Sequence, residues 1–520
     1  MSRTRSHDPE SPAEPGTPAE SEAARTVPRA QPRNPDPGDS GGPGRTSDPG
    51  ETGDTGAPDG SADADVSGAD GTGGSAPHGD PAAPADAPEA AGLTPLPGGL
   101  GWVVTGRSVA LGLLGDQRLG VLEPQPVMAH LATKLPAAVR PELREITAFA
   151  ERVMLQTGHD RHMALRRAFG GFFDAAAVDS RVPGLREDAE RVVRRFAAAG
   201  GGEFMTAVAF PYAVRTGARL VGVTDEEYRR LHRLSQQLAL VAYAARLDDP
   251  AAAVRAGHAA LVRVRETVAA ARAAAPRTSV LGAWHAGAID LPDEDVEANA
   301  VMLVQASLET VAGMLGNTAA RILTAPGALA DPARRARLLD DALRAEPPLK
   351  TLERVVREPV TAAGHSLRPG QIVSVRVADA NRPDADPVAG RALFSFGWGA
   401  YRCLGARLAR HQAAELFAAL HRIAPDAAAA EDDVERVRHI RFDMPRSLRV
   451  RCTPPPADGA ALTRALTAAL EEDDLDRPLT SLEREVAYVV LKEHGVTVPE
   501  ELRDPTTIRE WVTWATQAHG

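Results

Sequence analysis

Cys403 lies in the stretch from Phe394 to Arg410, FSFGWGAYRCLGARLAR, and its neighbours suit a sulfur that binds or reacts. Gly397 and Gly399 precede it and Gly405 follows, ahead of an Ala/Leu/Arg-rich run with helical composition. A thiolate at a helix N-terminus is stabilised by the macrodipole and by free backbone N–H groups. Glycines let the chain come close to a flat macrocycle, and Phe396 is spaced to pack on that ring and shield the sulfur. A thiolate on iron pushes electron density towards the metal and favours O–O cleavage. Taken alone, the loop also fits a buried, inert cysteine in a Gly-rich turn.

Two other groupings have the types and spacing for chemistry. His162 and Arg166 stand four residues apart in DRHMALRR, which sets them on one helical face. That pair puts two cationic or donor groups side by side, and it equally suits an exposed basic face. Glu309 and Thr310 are adjacent in QASLET, an acid beside an alcohol. In isolation such a pair is most often a polar helix face.

The elements that must place these residues follow from periodicity. Residues 1–92 are rich in Pro, Gly, Asp, Ser and Ala and predict a disordered tail, since such a segment buries too little to offset its ordering entropy. Residues 101–113 read as a strand and then a helix. Helical spacing recurs over 146–154, 185–199 and 226–245. The longest helix is predicted over 293–324, with an acidic start and Pro326 after its end. Strands are predicted over 352–360 and 371–377, with Arg368-Pro369-Gly370 in the turn between them. A helix is expected over 403–420 and a strand over 446–452. A Pro-rich joint at 454–456 then leads to a small helical segment, 460–520.

Net charge −11 and a pI near 5.8 argue against a nucleic-acid surface; the short basic run 334–337 reads as a solvated helix face. Cys403 and Cys452 are the two cysteines, too few for a disulfide framework and consistent with a reducing compartment. The sequence lacks a signal-peptide core and any run of ~20 uninterrupted apolar residues. The expectation is a soluble, cytoplasmic protein that binds neither membrane nor nucleic acid.

The string Phe396-x-x-Gly399-x-x-x-Cys403-x-Gly405 resembles the haem-binding signature of the cytochrome P450 family. The resemblance spans roughly residues 93–453 and implies a mainly α fold with a minor β-sheet. It implies haem b as cofactor, Cys403 as the axial ligand of its iron, and Phe396, Gly397, Arg402 and Gly405 around the ring. It further implies that His162, Arg166 and Arg354 bind the propionates. Segment 305–310 looks like the family's oxygen-binding turn, in which Glu309 would feed protons and Thr310 would hold oxygen or a water; Ser307 stands where the family usually has glycine. Asp341-x-x-Arg344 resembles the Glu-x-x-Arg pair beneath the haem, with an acid one methylene shorter. Tyr401 replaces the usual His or Arg two residues before the cysteine and would reach a propionate without charge.

The activity implied is monooxygenation of a small, hydrophobic or carrier-tethered, secondary-metabolite substrate, with electrons from a ferredoxin and a ferredoxin reductase. The rival implications are a haem-dependent isomerase, coupling enzyme or peroxygenase, and a degenerate, non-catalytic homologue used for docking. Residues 480–511 resemble the later helices of acyl or peptidyl carrier proteins, with Thr480 or Ser481 nearest the place of the modified serine. A helical appendage for docking or dimerisation is the other reading of that segment.

Overall fold

The structure, a computed structural model, describes residues 92–383, 393–430, 434–454, 459–494, 496, 498 and 505–518. The tail expected over 1–92 lies outside the described residues, Gly92 excepted, and so do two of the three prolines of the 454–456 joint.

One sheet runs β1 (Leu93–Pro95), β2 (Gly101–Val104), β5 (Ile372–Arg376), β4 (Thr351–Val356), β3 (Leu119–Gly120). β2 and β5 are parallel, pairing Gly101 with Ile372 and Val104 with Val375. β4 is antiparallel to β5 and sets Arg354 opposite Val373. Side chains alternate along a strand, so Arg354 points to the same side as Val356 and is 6% exposed. A basic residue at a buried strand position is the first sign that β4 serves a site.

β4 ends at Val356 and does not run on to 360 as predicted. Arg357 leaves the ladder to donate its N–H to Arg118 O, and Val360–Ala362 then forms a separate hairpin with His365–Leu367. The strand expected over 446–452 is shorter, Arg449–Arg451.

Four helices position the candidate site: α1 (His159–Gly170), α2 (Asp225–Leu240), α3 (Asp293–Thr324) and α4 (Ala406–Ile423). α3 matches its predicted bounds. It is buried on nearly every side, as a helix through the middle of a helical core must be. By length and composition it could span a membrane, yet 72% of its most apolar window is buried inside the protein. α2 begins with a reciprocal capping box between Thr224 and Glu227. α4 starts at Ala406 and not at the predicted 403: Gly405 is its N-cap residue, so Cys403 stands in the loop ahead of the helix.

Asn381 fastens this loop from behind. Its side chain is fully buried; Nδ2 donates to Leu343 O (3.3 Å), Arg344 O (3.1 Å) and Ser395 Oγ (2.9 Å), and Oδ1 accepts from Phe394 N (2.8 Å). The ion pair expected between Asp341 and Arg344 is replaced by this arrangement. Asp341 is exposed, and Arg344 Nη1 reaches Asn381 O at 3.4 Å. The shorter acid turns to solvent, and an amide links the helix ending at Ala345 to the cysteine loop. Asn381→Leu strands several buried polar groups at once, so we expect a loss of about 3 kcal/mol, read as a lower urea midpoint at constant m-value.

Beyond 453, α5 (Gly459–Leu470), α6 (Ser481–Glu493) and α7 (Ile508–Ala518) enclose a core of their own that includes Leu466, Leu491 and Trp511. Thr480 caps α6 through a capping box with Glu483. Ser481 is exposed at its first turn, beside Leu482 at 76% exposure.

Candidate active site

The cysteine loop is shaped by two glycines in left-handed conformations, Gly397 (φ 72°) and Gly399 (φ 68°). A Cβ on Gly399 would sit 2.7 Å from Leu114 O, so no other residue fits there. Gly405 is different: its φ is −80° and an added Cβ would lie at ordinary contact distance, 3.8 Å from Cys403 Sγ. Its value to the loop is its N–H, which bonds the sulfur. The Cys403 N–H donates to Phe396 O at 2.7 Å, closing the loop on itself.

Cys403 is exposed to the open side of the loop, while protein packs around the rest of the residue. That packing raises the thiol pKa, and the Gly405 N–H, Arg166 and Arg402 pull it back. Coordination to a metal deprotonates a thiol outright. Among the described residues no three His, Cys, Asp or Glu side chains gather as metal ligands.

Around the loop the structure collects the residues that would meet a haem's carboxylates. The Arg354 guanidinium lies over the Tyr401 ring at 4.7 Å. Burial lowers its pKa; Nη1 donates to Glu353 O, 2.8 Å away, and no hydrogen bond joins it to a carboxylate among the described residues. Tyr401 Oη is buried with no hydrogen-bond partner. A buried cation without an anion, next to a buried hydroxyl without an acceptor, is costly in protein alone. Both costs fall away when a carboxylate arrives, and in this respect the residues present fit a haem.

His162 is buried, with its ring 4.3 Å from that of Tyr401. Nδ1 is 2.9 Å from Met154 O and Nε2 is 3.2 Å from Ala400 O. Neutral imidazole has one N–H, so it satisfies only one of two carbonyls; burial, the largest influence, lowers the pKa and favours the neutral form. A propionate taking the place of Ala400 O at Nε2 needs a proton on that nitrogen, as in the Nε2–H tautomer or the imidazolium. Arg166, one turn on, donates to Arg402 O. It therefore braces the loop and contributes its charge to the sulfur.

Arg402, Phe396, Trp398, Arg407, Arg410 and His411 border a recess of about 560 Å³ between the loop and the first turns of α4. Arg410 lies over the Phe396 ring at 5.6 Å. This concave face is basic.

Glu309 and Thr310 form a separate group on α3, with no hydrogen bond to the cysteine loop among those described. Thr310 Oγ1 donates back to Ala306 O at 2.6 Å. Glu309 turns towards α2, where Oε1 lies 2.9 Å from His232 Nε2 and 3.1 Å from Gln236 Nε2. Ser307 donates to Leu303 O at 2.6 Å and lies 2.8 Å from Tyr228 Oη. Tyr228 Oη also lies 3.2 Å from Val304 O, so its one proton is shared between that carbonyl and Ser307 Oγ. Burial pushes the Tyr228 phenol far above its ordinary pKa. Sequence reasoning missed Tyr228, His232 and Gln236. The signal was present as polar residues at intervals of four on the helix, a row that faces one neighbour.

No family model matches the chain. It is 29% identical over 358 residues to Protein AknT of Streptomyces galilaeus, covering 65% of this chain and 80% of that one. It is 28% identical to erythromycin C-12 hydroxylase of Saccharopolyspora erythraea, over 54% of this chain and 74% of that one. It is 24% identical to the biotin biosynthesis cytochrome P450 of Bacillus subtilis, over 60% and 80% of the two chains. Among solved structures, epothilone B-bound cytochrome P450epoK superposes with a TM-score of 0.59 at 20% identity, over 70% of this chain and 94% of the other. P450BioI in complex with an acyl carrier protein ligated to hexadec-9Z-enoic acid gives 0.57 at 22% identity, over 68% and 92%. These two likenesses speak to the fold.

Proposed function

Because this chain belongs to the cytochrome P450 family and is a monooxygenase of that type with haem b as its cofactor, we propose that it oxygenates a small hydrophobic organic molecule of secondary metabolism. The observation that carries the proposed site is the buried Arg354, which meets no carboxylate among the described residues, stacked on Tyr401, whose buried hydroxyl has no hydrogen-bond partner. In this reading Cys403 would bind the haem iron and Arg354, Tyr401 and His162 would receive the propionates, while Arg166 and Arg402 would support the sulfur. When bound, haem b supplies the iron at which dioxygen is reduced. Glu309 and Thr310 supply protons and hold water near that oxygen.

The reaction consumes one dioxygen, two electrons and two protons; one oxygen atom enters a C–H bond of the substrate and the other leaves as water. The electrons come from a ferredoxin reduced by its reductase. The basic recess bordered by Arg402, Arg407 and Arg410 supports that reading, since an acidic carrier is steered to such a face. The erythromycin hydroxylase relative supports a secondary-metabolite substrate. The P450BioI complex with a loaded acyl carrier protein supports a tethered one, and Thr480 or the exposed Ser481 at the head of α6 stands nearest the place of a carrier's modified serine.

The test is a screen of free and carrier-bound hydrophobic acids by the spin-state shift of the haem, followed by turnover of the hits under ¹⁸O₂ with NADPH, ferredoxin and reductase. Product carrying one labelled oxygen, formed only with reductant, is the expected result. Product formed with peroxide alone, or without added oxygen, would transfer the assignment to a peroxygenase or an isomerase.

A further inference from the structure

We propose that His232, with Gln236 beside it, is the positioning residue for Glu309, so that helix α2 fixes the place from which this acid handles protons. The inference rests on the reading of Glu309 given above.

Tyr228, His232 and Gln236 recur every four residues and make one row along α2. Each reaches the 304–309 turn of α3: Tyr228 meets Ser307 and Val304 O, and His232 and Gln236 meet one and the same oxygen of Glu309. The His232 and Glu309 side chains are 14% and 19% exposed, so the contact is sheltered and its hydrogen bonds are little weakened by water. With Oε1 held by two donors, the carboxylate cannot turn about its own axis.

The other oxygen, Oε2, is buried and has no hydrogen-bond partner. The nearest alcohol in sequence, Thr310, already donates to Ala306 O. An orphaned carboxylate oxygen in a sheltered place calls for a donor. Oε2 is therefore the working atom: it is the oxygen free to pick up a proton delivered from the acid pool of the solvent and to release it again, while Oε1 stays with α2. Ser307 serves the same end. Where the family's glycine would leave the turn unattached, this serine gives Tyr228 an anchor.

The full haem-loaded chain can be tested without knowing its substrate. NADPH, ferredoxin and reductase drive oxygen reduction, and the ratio of hydrogen peroxide formed to dioxygen consumed reports whether protons arrive in time to make water. The measurement is repeated in D₂O, and amide exchange over residues 225–240 is followed by mass spectrometry. His232→Ala should keep its haem and its thiolate-type carbon-monoxide spectrum. Its water-to-peroxide ratio should fall about tenfold, the effect of losing one hydrogen bond to a charged group, and exchange over 225–240 should quicken. His232→Gln, whose amide can still donate to Oε1, should recover most of the ratio.

A His232→Ala ratio equal to wild type, while Glu309→Gln shifts it, would discard His232 and leave the acid's role intact. If Glu309→Gln shifts nothing either, the reading of Glu309 itself fails. A His232→Gln ratio as low as that of the alanine variant would also overturn the positioning role, since it would make the histidine a proton carrier.

Discussion

Cys403→Ser protein will lose the long-wavelength Soret band of its reduced, carbon-monoxide-treated form, and reductant-driven oxygenation will fall to background. The band reports a thiolate on iron, and the alkoxide or alcohol of serine cannot supply the same electron donation. Serine keeps the volume of the side chain and the loop's own bonds. Those bonds are the Cys403 N–H to Phe396 O at 2.7 Å and the frame set by Gly397 and Gly399. Loss of the band therefore reports ligation and not a collapsed fold, and near-native circular dichroism and thermal midpoint should accompany it. Arg354, Tyr401 and His162, which we propose receive the propionates, are untouched by this change, so some haem should remain bound, weakly and without the thiolate signature. An unaltered spectrum and turnover in this variant would remove the foundation of the assignment.

The cysteine loop was legible in the sequence because its constraints are local. Positive φ at Gly397 and Gly399, and a helix opening after Gly405, are written in consecutive residues. The long helix α3 was legible to the residue for the same reason: an acidic first turn and a following proline mark both ends. What periodicity could not give was partnership across the chain. Periodicity alone left Arg354 as one arginine in a strand; the family resemblance singled it out, and the register of β4 against β5 shows that it is buried. Asn381 and Leu343 are 38 residues apart, so nothing in the sequence indicated that an amide would fasten the loop where an Asp341–Arg344 ion pair was expected. The same holds for His232 and Glu309, which come from two helices and meet at 2.9 Å.

Glu309→Gln and Thr310→Val should each leave haem binding intact and lower coupled product formation by about 10²-fold, the lower bound of what a positioned acid or base contributes. Hydrogen peroxide should account for the missing reducing equivalents. Glutamine keeps an oxygen that can accept from His232 and Gln236, so the α2–α3 contact survives while the proton is gone. Valine keeps the shape of threonine and removes only a hydroxyl that now bonds Ala306 O in its own helix, so a large effect cannot be attributed to stability. The double variant separates two arrangements. If acid and alcohol act in one relay through a shared water, the second substitution adds little to the first. If each serves its own proton, the losses multiply. A product-to-NADPH ratio within twofold of wild type in both single variants would remove α3 from the chemistry and leave the contact with α2 as packing.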